Sequence, residues 1–214
     1  MAERDTLWRA GALSRLFPGA MANAASDSLS LREMPVPGQI NLRGNPADPA
    51  FFKAAMTALG SGLPLEANTV AEAAGVTVYW LGPDEWLILT PPGAEHALIA
   101  TLREALSGVH CAVVDVSGNR ALIRMSGAEA REILAKGCSL DLHPRSFKAG
   151  DCAQTLIARC GVILHQRDDA PSYDLLPRRS FSEYLWLWLV DASAEYGVAG
   201  SSGAGVTGSD PDHG

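Results

Sequence analysis

Val113-Val114-Asp115-Val116-Ser117-Gly118-Asn119-Arg120-Ala121-Leu122-Ile123-Arg124-Met125-Ser126-Gly127-Ala128-Glu129-Ala130-Arg131-Glu132-Ile133-Leu134-Ala135-Lys136-Gly137 is the stretch on which the fold turns. Two apolar runs, 112–116 and 121–125, flank Ser117-Gly118-Asn119, a turn signal that predicts a strand pair. Ser126 with Glu129 then reads as a capping box. Ile133 and Leu134 mark an apolar helical face, and Gly137 ends it. Strand, strand, helix is the unit to look for elsewhere in the chain.

Outward from it the same grammar recurs. Gln39–Arg43 reads as a strand, and Asp48-Pro49 opens a helix that Gly60 closes. Residues 76–81 and 86–90 are apolar runs around Gly82-Pro83-Asp84, and 94–106 has helical spacing. Residues 152–159, 162–166 and 173–176 read as three further strands. Ser180 and Glu183 form a second capping-box pattern before a last helix, with Phe181, Tyr184, Leu185, Trp188, Leu189, Ala192 and Tyr196 on one face. Short-turn strand pairs interleaved with helices predict an α+β fold of antiparallel sheets, helices packed on one side, built from ferredoxin-like βαββ units. Residues 1–28 are expected to form a flexible arm with a short helix at Leu7–Leu16, 29–198 the domain, and the Gly- and Ser-rich 199–214 a disordered tail.

Composition excludes several functions. The 214 residues carry a net charge of −7, so the footprint of a nucleic-acid binder is missing. The longest apolar run, Tyr184–Val190, is far short of the roughly 18 residues that span a bilayer, and the charged N-terminus lacks a signal-peptide core. A cytoplasmic protein is expected. Cys111, Cys138, Cys152 and Cys160 show no Cys-x-x-Cys spacing and read as small buried thiols.

Motifs of chemistry are weak. Gly203-Ala204-Gly205-Val206-Thr207-Gly208 spells a dinucleotide fingerprint, but no strand–helix unit surrounds it. Of His96, His110, His143, His165 and His213, none sits in a metalloprotease motif. His165 lies in an apolar strand, where a satisfied core or interface histidine is expected. Asp168, Asp169 and Asp174 are the candidate binding carboxylates. A carboxylate accepts two adjacent N–H donors in parallel, as a pterin would offer them, although Asp-Asp-Ala-Pro-Ser is also ordinary turn chemistry. On the last helix, 185–190 leaves no polar side, and Trp186 and Trp188 point about 200° apart. A helix apolar all round is buried on all sides, which predicts a partner subunit.

Gly38-Gln39-Ile40-Asn41-Leu42-Arg43-Gly44, Leu81-Gly82-Pro83-Asp84-Glu85-Trp86-Leu87-Ile88-Leu89, Asp115-Val116-Ser117-Gly118-Asn119-Arg120 and Tyr173-Asp174-Leu175-Leu176-Pro177-Arg178-Arg179-Ser180-Phe181 together resemble the sarcosine oxidase gamma subunit, over roughly residues 29–198. The chain is also similar to the folate-binding domain of aminomethyltransferases. The resemblance implies a heterotetramer with alpha, beta and delta subunits that converts sarcosine to glycine, with hydrogen peroxide and methylenetetrahydrofolate as further products. FAD, FMN, NAD, zinc and tetrahydrofolate are implied on the other subunits. It implies no catalytic, cofactor-binding or metal residue in this chain.

Two departures from active aminomethyltransferases are legible. Their Gly-Glu-x-Gly-Tyr/Phe-Glu motif is replaced by Asp168-Asp169-Ala170-Pro171-Ser172-Tyr173-Asp174, and the chain ends without their C-terminal barrel. Both favour a scaffold that kept the fold and lost the ligand. The alternative is a free-standing tetrahydrofolate-binding one-carbon transfer protein, with Asp169 or Asp174 on the pterin.

Overall fold

The computed structural model describes residues 11–18, 21–73 and 75–198. The chain runs β1 (Asn23–Ala25), β2 (Leu29–Glu33), β3 (Gly38–Gly44), α1 (Pro49–Leu59), β4 (Val70–Ala73), β5 (Val76–Gly82), β6 (Glu85–Thr90), α2 (Glu95–Ala105), β7 (Cys111–Asp115), β8 (Ile123–Gly127), α3 (Ala130–Ala135), β9 (Cys152–Ile157), β10 (Cys160–Asp168), β11 (Ser172–Pro177) and α4 (Ser182–Ala192). The fold is α+β, with two antiparallel sheets. One has the order β4-β5-β6-β3-β7 and the other β1-β2-β8-β11-β10-β9.

The two halves share one topology. Strand, helix, three-strand meander, helix is the order from β3 to α2, and again from β8 to α4. In each sheet the opening strand lies beside the last strand of its meander. In the first half β7 covers the open side of β3. In the second, β2 takes the matching place beside β8, although it precedes both units in sequence. No repeat shows in the residues, because duplicated backbone order needs only matching polarity patterns.

Each sheet buries one face under its own helices. Ile40, Leu42, Val78, Trp86 and Ile88 meet Phe51, Ala55, Ile99 and Leu102 of α1 and α2. Met125, Leu164 and Leu175 meet Ile133 and Leu134 of α3 and Leu185, Trp186 and Leu189 of α4. The opposite faces join through Tyr79, Leu87 and Leu89 on one sheet and Cys152, Ile163 and Leu176 on the other. The result is four layers, helix–sheet–sheet–helix.

Local chemistry accounts for some boundaries. Asp48 accepts a hydrogen bond from the amide of Ala50 at 2.9 Å, Pro49 follows, and Gly60 ends α1 in the left-handed conformation at φ 60°. The two expected capping boxes do not form. Ser126 pairs with Ser172 and Ser30 inside β8, and α3 starts after Glu129 with no side-chain cap. A 3-10 turn at Arg179–Phe181 leads into α4, so the helix begins later than Ser180 predicts and its N-terminus also has no side-chain cap.

The flexible arm expected through residue 28 is packed where it is described. Leu13, Ala22 and Ala24 are buried, and β1 adds an edge strand to β2. Buried Glu33 explains the order: its carboxylate accepts from the amides of Leu13 at 3.1 Å and Ala22 at 3.4 Å. β1, β2 and β4 are strands that the sequence reading omits. Residues 11–16, the described part of the helix expected at Leu7–Leu16, form turns instead; residues 1–10, the 199–214 tail and the Gly203–Gly208 fingerprint lie outside the described residues.

Candidate functional site

A polar row crosses the sheet of β2, β8, β11, β10 and β9. Its register places Arg32, Arg124, Asp174, His165 and Cys152 side by side on five successive strands. Strand alternation explains the row: in β10, Val162 and Leu164 face the helices while Ile163 faces the other sheet, and His165 shares the side of Ile163. The row therefore lies along the margin of the inter-sheet core.

Asp174 is its centre and is 1% exposed. Its Oδ1 accepts from Arg124 Nε at 2.7 Å and its Oδ2 from Arg124 Nη2 at 2.9 Å, a bidentate pair. Arg167 Nη1 donates to the same Oδ2 at 3.0 Å and to Glu72 on β4 at 3.2 Å, tying the two sheets together. The hydrogen bond to Asp174 raises the pKa of the Arg124 guanidinium further.

His165 stands next to this pair. Its Nδ1 shares a hydrogen bond with the Tyr79 hydroxyl at 3.2 Å, and the two rings meet edge to face at 5.3 Å. Burial pushes the His165 pKa down to about 4, against the opposing pull of the Asp174 charge. Burial likewise raises the Tyr79 hydroxyl well above its ordinary value. Both groups are held neutral near pH 7, as the expectation of a satisfied core histidine requires. Cys152, at the end of the row, is pushed up to about 12 by burial and is no nucleophile in that state.

The three candidate carboxylates divide. Asp174 has both oxygens engaged by arginines. Asp168 closes its own turn, accepting from the Ser172 amide at 2.9 Å and the Ser172 hydroxyl at 2.6 Å. Asp169 is exposed on the loop beyond the strand rim. Neither tied carboxylate presents a free pair of oxygens to a pterin. The partners that tie Asp174, Arg124 and Arg167, escape sequence reading because they come from β8 and β10. Only the cross-strand register, fixed by three-dimensional pairing, brings them together.

Among the described residues no group of three or more His, Cys, Asp or Glu is placed to hold a metal ion. The four cysteines are free thiols; three are buried and Cys111 is half-buried. No described helix is long and apolar enough to cross a membrane.

The last helix is only partly covered by its own chain. Leu185, Trp186 and Leu189 are buried, whereas Phe181 just before it and Tyr184 and Leu187 within it are 48%, 41% and 56% exposed. The buried face is thus rotated from the expected one, with Trp186 rather than Trp188 in the core. The Trp188 indole instead lies over Gly137, where an added Cβ would come within 2.6 Å of the ring.

Comparison with known proteins places this architecture. The family model described as "Sarcosine oxidase, gamma subunit family" matches residues 43–195. The sarcosine oxidase gamma subunit of Corynebacterium sp. strain P-1 is 39% identical over 179 residues, covering 83% of this chain and 86% of that one. The Arthrobacter sp. gamma subunit is equally similar, at 39%. Among solved structures, a chain of the heterotetrameric sarcosine oxidase from Corynebacterium sp. U-96, solved with pyrrole 2-carboxylate, superimposes with a TM-score of 0.79 at 34% identity. That match covers 92% of this chain and 98% of that one. Aminomethyltransferase T from Bartonella henselae shares the fold at a TM-score of 0.56 and 15% identity; this chain spans 45% of its length. The chain belongs to the sarcosine oxidase gamma subunit family.

Proposed function

We propose that the chain is a structural, non-catalytic gamma subunit of a heterotetrameric sarcosine oxidase, assembling with alpha, beta and delta chains in the cytoplasm. The assembly demethylates sarcosine to glycine, releasing hydrogen peroxide and passing the one-carbon unit to tetrahydrofolate. FAD, FMN, NAD, zinc and tetrahydrofolate are held by the other subunits.

The observation that carries the reading is the internal neutralisation of Asp174. A carboxylate clamped by Arg124 and Arg167, 2.7–3.0 Å away, is a structural brace between strands and sheets. The apolar stripe of Phe181, Tyr184 and Leu187, next to a well-filled core, supports the subunit role.

Calorimetry decides between this reading and a free-standing one-carbon carrier. Tetrahydrofolate titrated to millimolar concentration into the isolated chain is expected to give no binding heat. A saturable heat that is lost in Asp169→Asn or Asp174→Asn would replace the structural reading with the carrier.

A further inference from the structure

The end of the molecule where α4 begins carries a concentration of positive charge that the site above does not use. Arg120 and Arg178 form an isolated antiparallel bridge, so their side chains emerge next to each other. Arg120 is half-buried, and one of its nitrogens, Nη1, donates to the Leu176 carbonyl at 2.8 Å. Among the described residues neither Arg120 nor Arg178 has a carboxylate within ion-pair distance. Burial and the neighbouring Arg178 charge both lower the pKa of Arg120. In a chain of net charge −7, two adjacent arginines with no counter-charge among the described residues form a local positive patch that favours an acidic partner.

The surrounding surface is concave. A cleft of about 680 Å³ is lined by Arg15, Asn119, Arg178, Arg179 and Glu183 among others. A second, of about 600 Å³, is lined by Arg120, Gln154, Leu156, Gly161 and Arg178 among others. Arg178 walls both, so the two form one groove around it. The one carboxylate in these linings, Glu183, sits 3.8 Å from Arg15, a largely exposed pair of little energetic weight. Leu156, 56% exposed, lines the second cleft, and exposed Phe181, Tyr184 and Leu187 neighbour in sequence Ser180 and Glu183, which line the first.

We infer that the Arg178 groove is the docking site for an acidic segment of a partner subunit, with carboxylates on Arg178 and Arg120 and apolar side chains on Phe181, Tyr184 and Leu187. The inference rests on the subunit reading above and names the surface that reading lacks. Charge complementarity selects the occupant. Guanidinium groups bind carboxylates bidentately, and the flanking apolar stripe rewards a segment that alternates acid with bulk.

The test uses the co-expressed complex. The full-length chain carrying Arg178→Glu is compared with wild type and with Lys53→Glu, an exposed charge reversal on α1 in the opposite outer layer. Affinity for the remaining subunits is read by interferometry at low and high salt. Arg178→Glu is expected to weaken binding at least about tenfold at low salt, with the gap closing as salt rises, while Lys53→Glu matches wild type. Arg178 is exposed, so the variant should unfold at the wild-type midpoint. Hydrogen exchange gives a second reading: amides from 178 to 187 should slow on assembly. Wild-type affinity in Arg178→Glu, or unchanged exchange across 178–187 in the assembled complex, overturns the inference. Failure of the wild-type chain to bind the other subunits at all overturns the subunit reading instead.

Discussion

Arg124 and Asp174 face each other on adjacent antiparallel strands and meet through two parallel hydrogen bonds of 2.7 and 2.9 Å, with the carboxylate sealed at 1% exposure. The pair occupies the place where sequence reading puts a ligand-binding carboxylate. Removing one partner of such a pair strands the other charge in a poorly solvated site. Asp174→Ala is expected to cost about 2–3 kcal/mol, below the roughly 3–5 kcal/mol of a wholly buried pair because Arg124 keeps 31% of its side chain in water. Urea unfolding of the purified variant checks it. A loss under about 0.5 kcal/mol would mean that the pair braces nothing.

His165 makes stability depend on pH. Its folded pKa of about 4 lies below the ordinary 6.5, so the unfolded chain binds a proton that the folded chain refuses. Stability from this group is complete above pH 6.5 and is lost as the pH falls from 6.5 towards 4, by about 3 kcal/mol in all. Burial is the chief cause; the charges of Asp174 and Glu72 oppose it, those of Arg167 and Arg124 add to it, and Tyr79 hydrogen-bonds the ring. Unfolding free energies at pH 7.5 and 4.5 should diverge in the wild type and diverge less in His165→Gln.

Gly44 shows why one strand needs its glycine. An added Cβ would come within 2.2–2.6 Å of three Phe51 ring carbons, and that ring is fully buried and stacked on Trp86 at 5.9 Å. The ring has no room to retreat. Gly44→Ala should lower stability by about 1–3 kcal/mol in thermal or urea unfolding, with α1 the element that shifts.

The helix starts offer a paired test. Asp48 caps α1 with a real hydrogen bond, so Asp48→Ala should cost about 1 kcal/mol. Ser180 precedes a 3-10 turn and caps nothing on α4, so Ser180→Ala should stay within about 0.5 kcal/mol of wild type. Both are read from urea midpoints.

These contrasts show what the residues alone disclose. Alternation and turn chemistry sufficed for β3, β5, β6, β8 and β10, and Asp48-Pro49 with Gly60 bounded α1, because those signals are local. β1 and β2 were not legible: their order depends on buried Glu33 holding the amides of Leu13 and Ala22, contacts up to twenty positions apart in sequence. Ser126 and Ser180 carried correct capping patterns, but strand pairing and a 3-10 turn prevailed over them. At the site, Asp174 was visible as a carboxylate, while its fate depended on arginines two strands apart. The uncovered helix face was legible in part. An apolar α4 predicted unpartnered surface, but which side faces outward was set by Gly137 admitting the Trp188 ring.

The central claim is that this chain is built to complete an assembly. Its most direct test is the mass, by light scattering, of the complex formed when the chain is co-expressed with the alpha, beta and delta subunits. The account predicts one species containing all four chains, and partial assemblies or loss of the complex when this chain is omitted. A stable, fully active three-chain oxidase, with this chain eluting separately as a monomer, would contradict it.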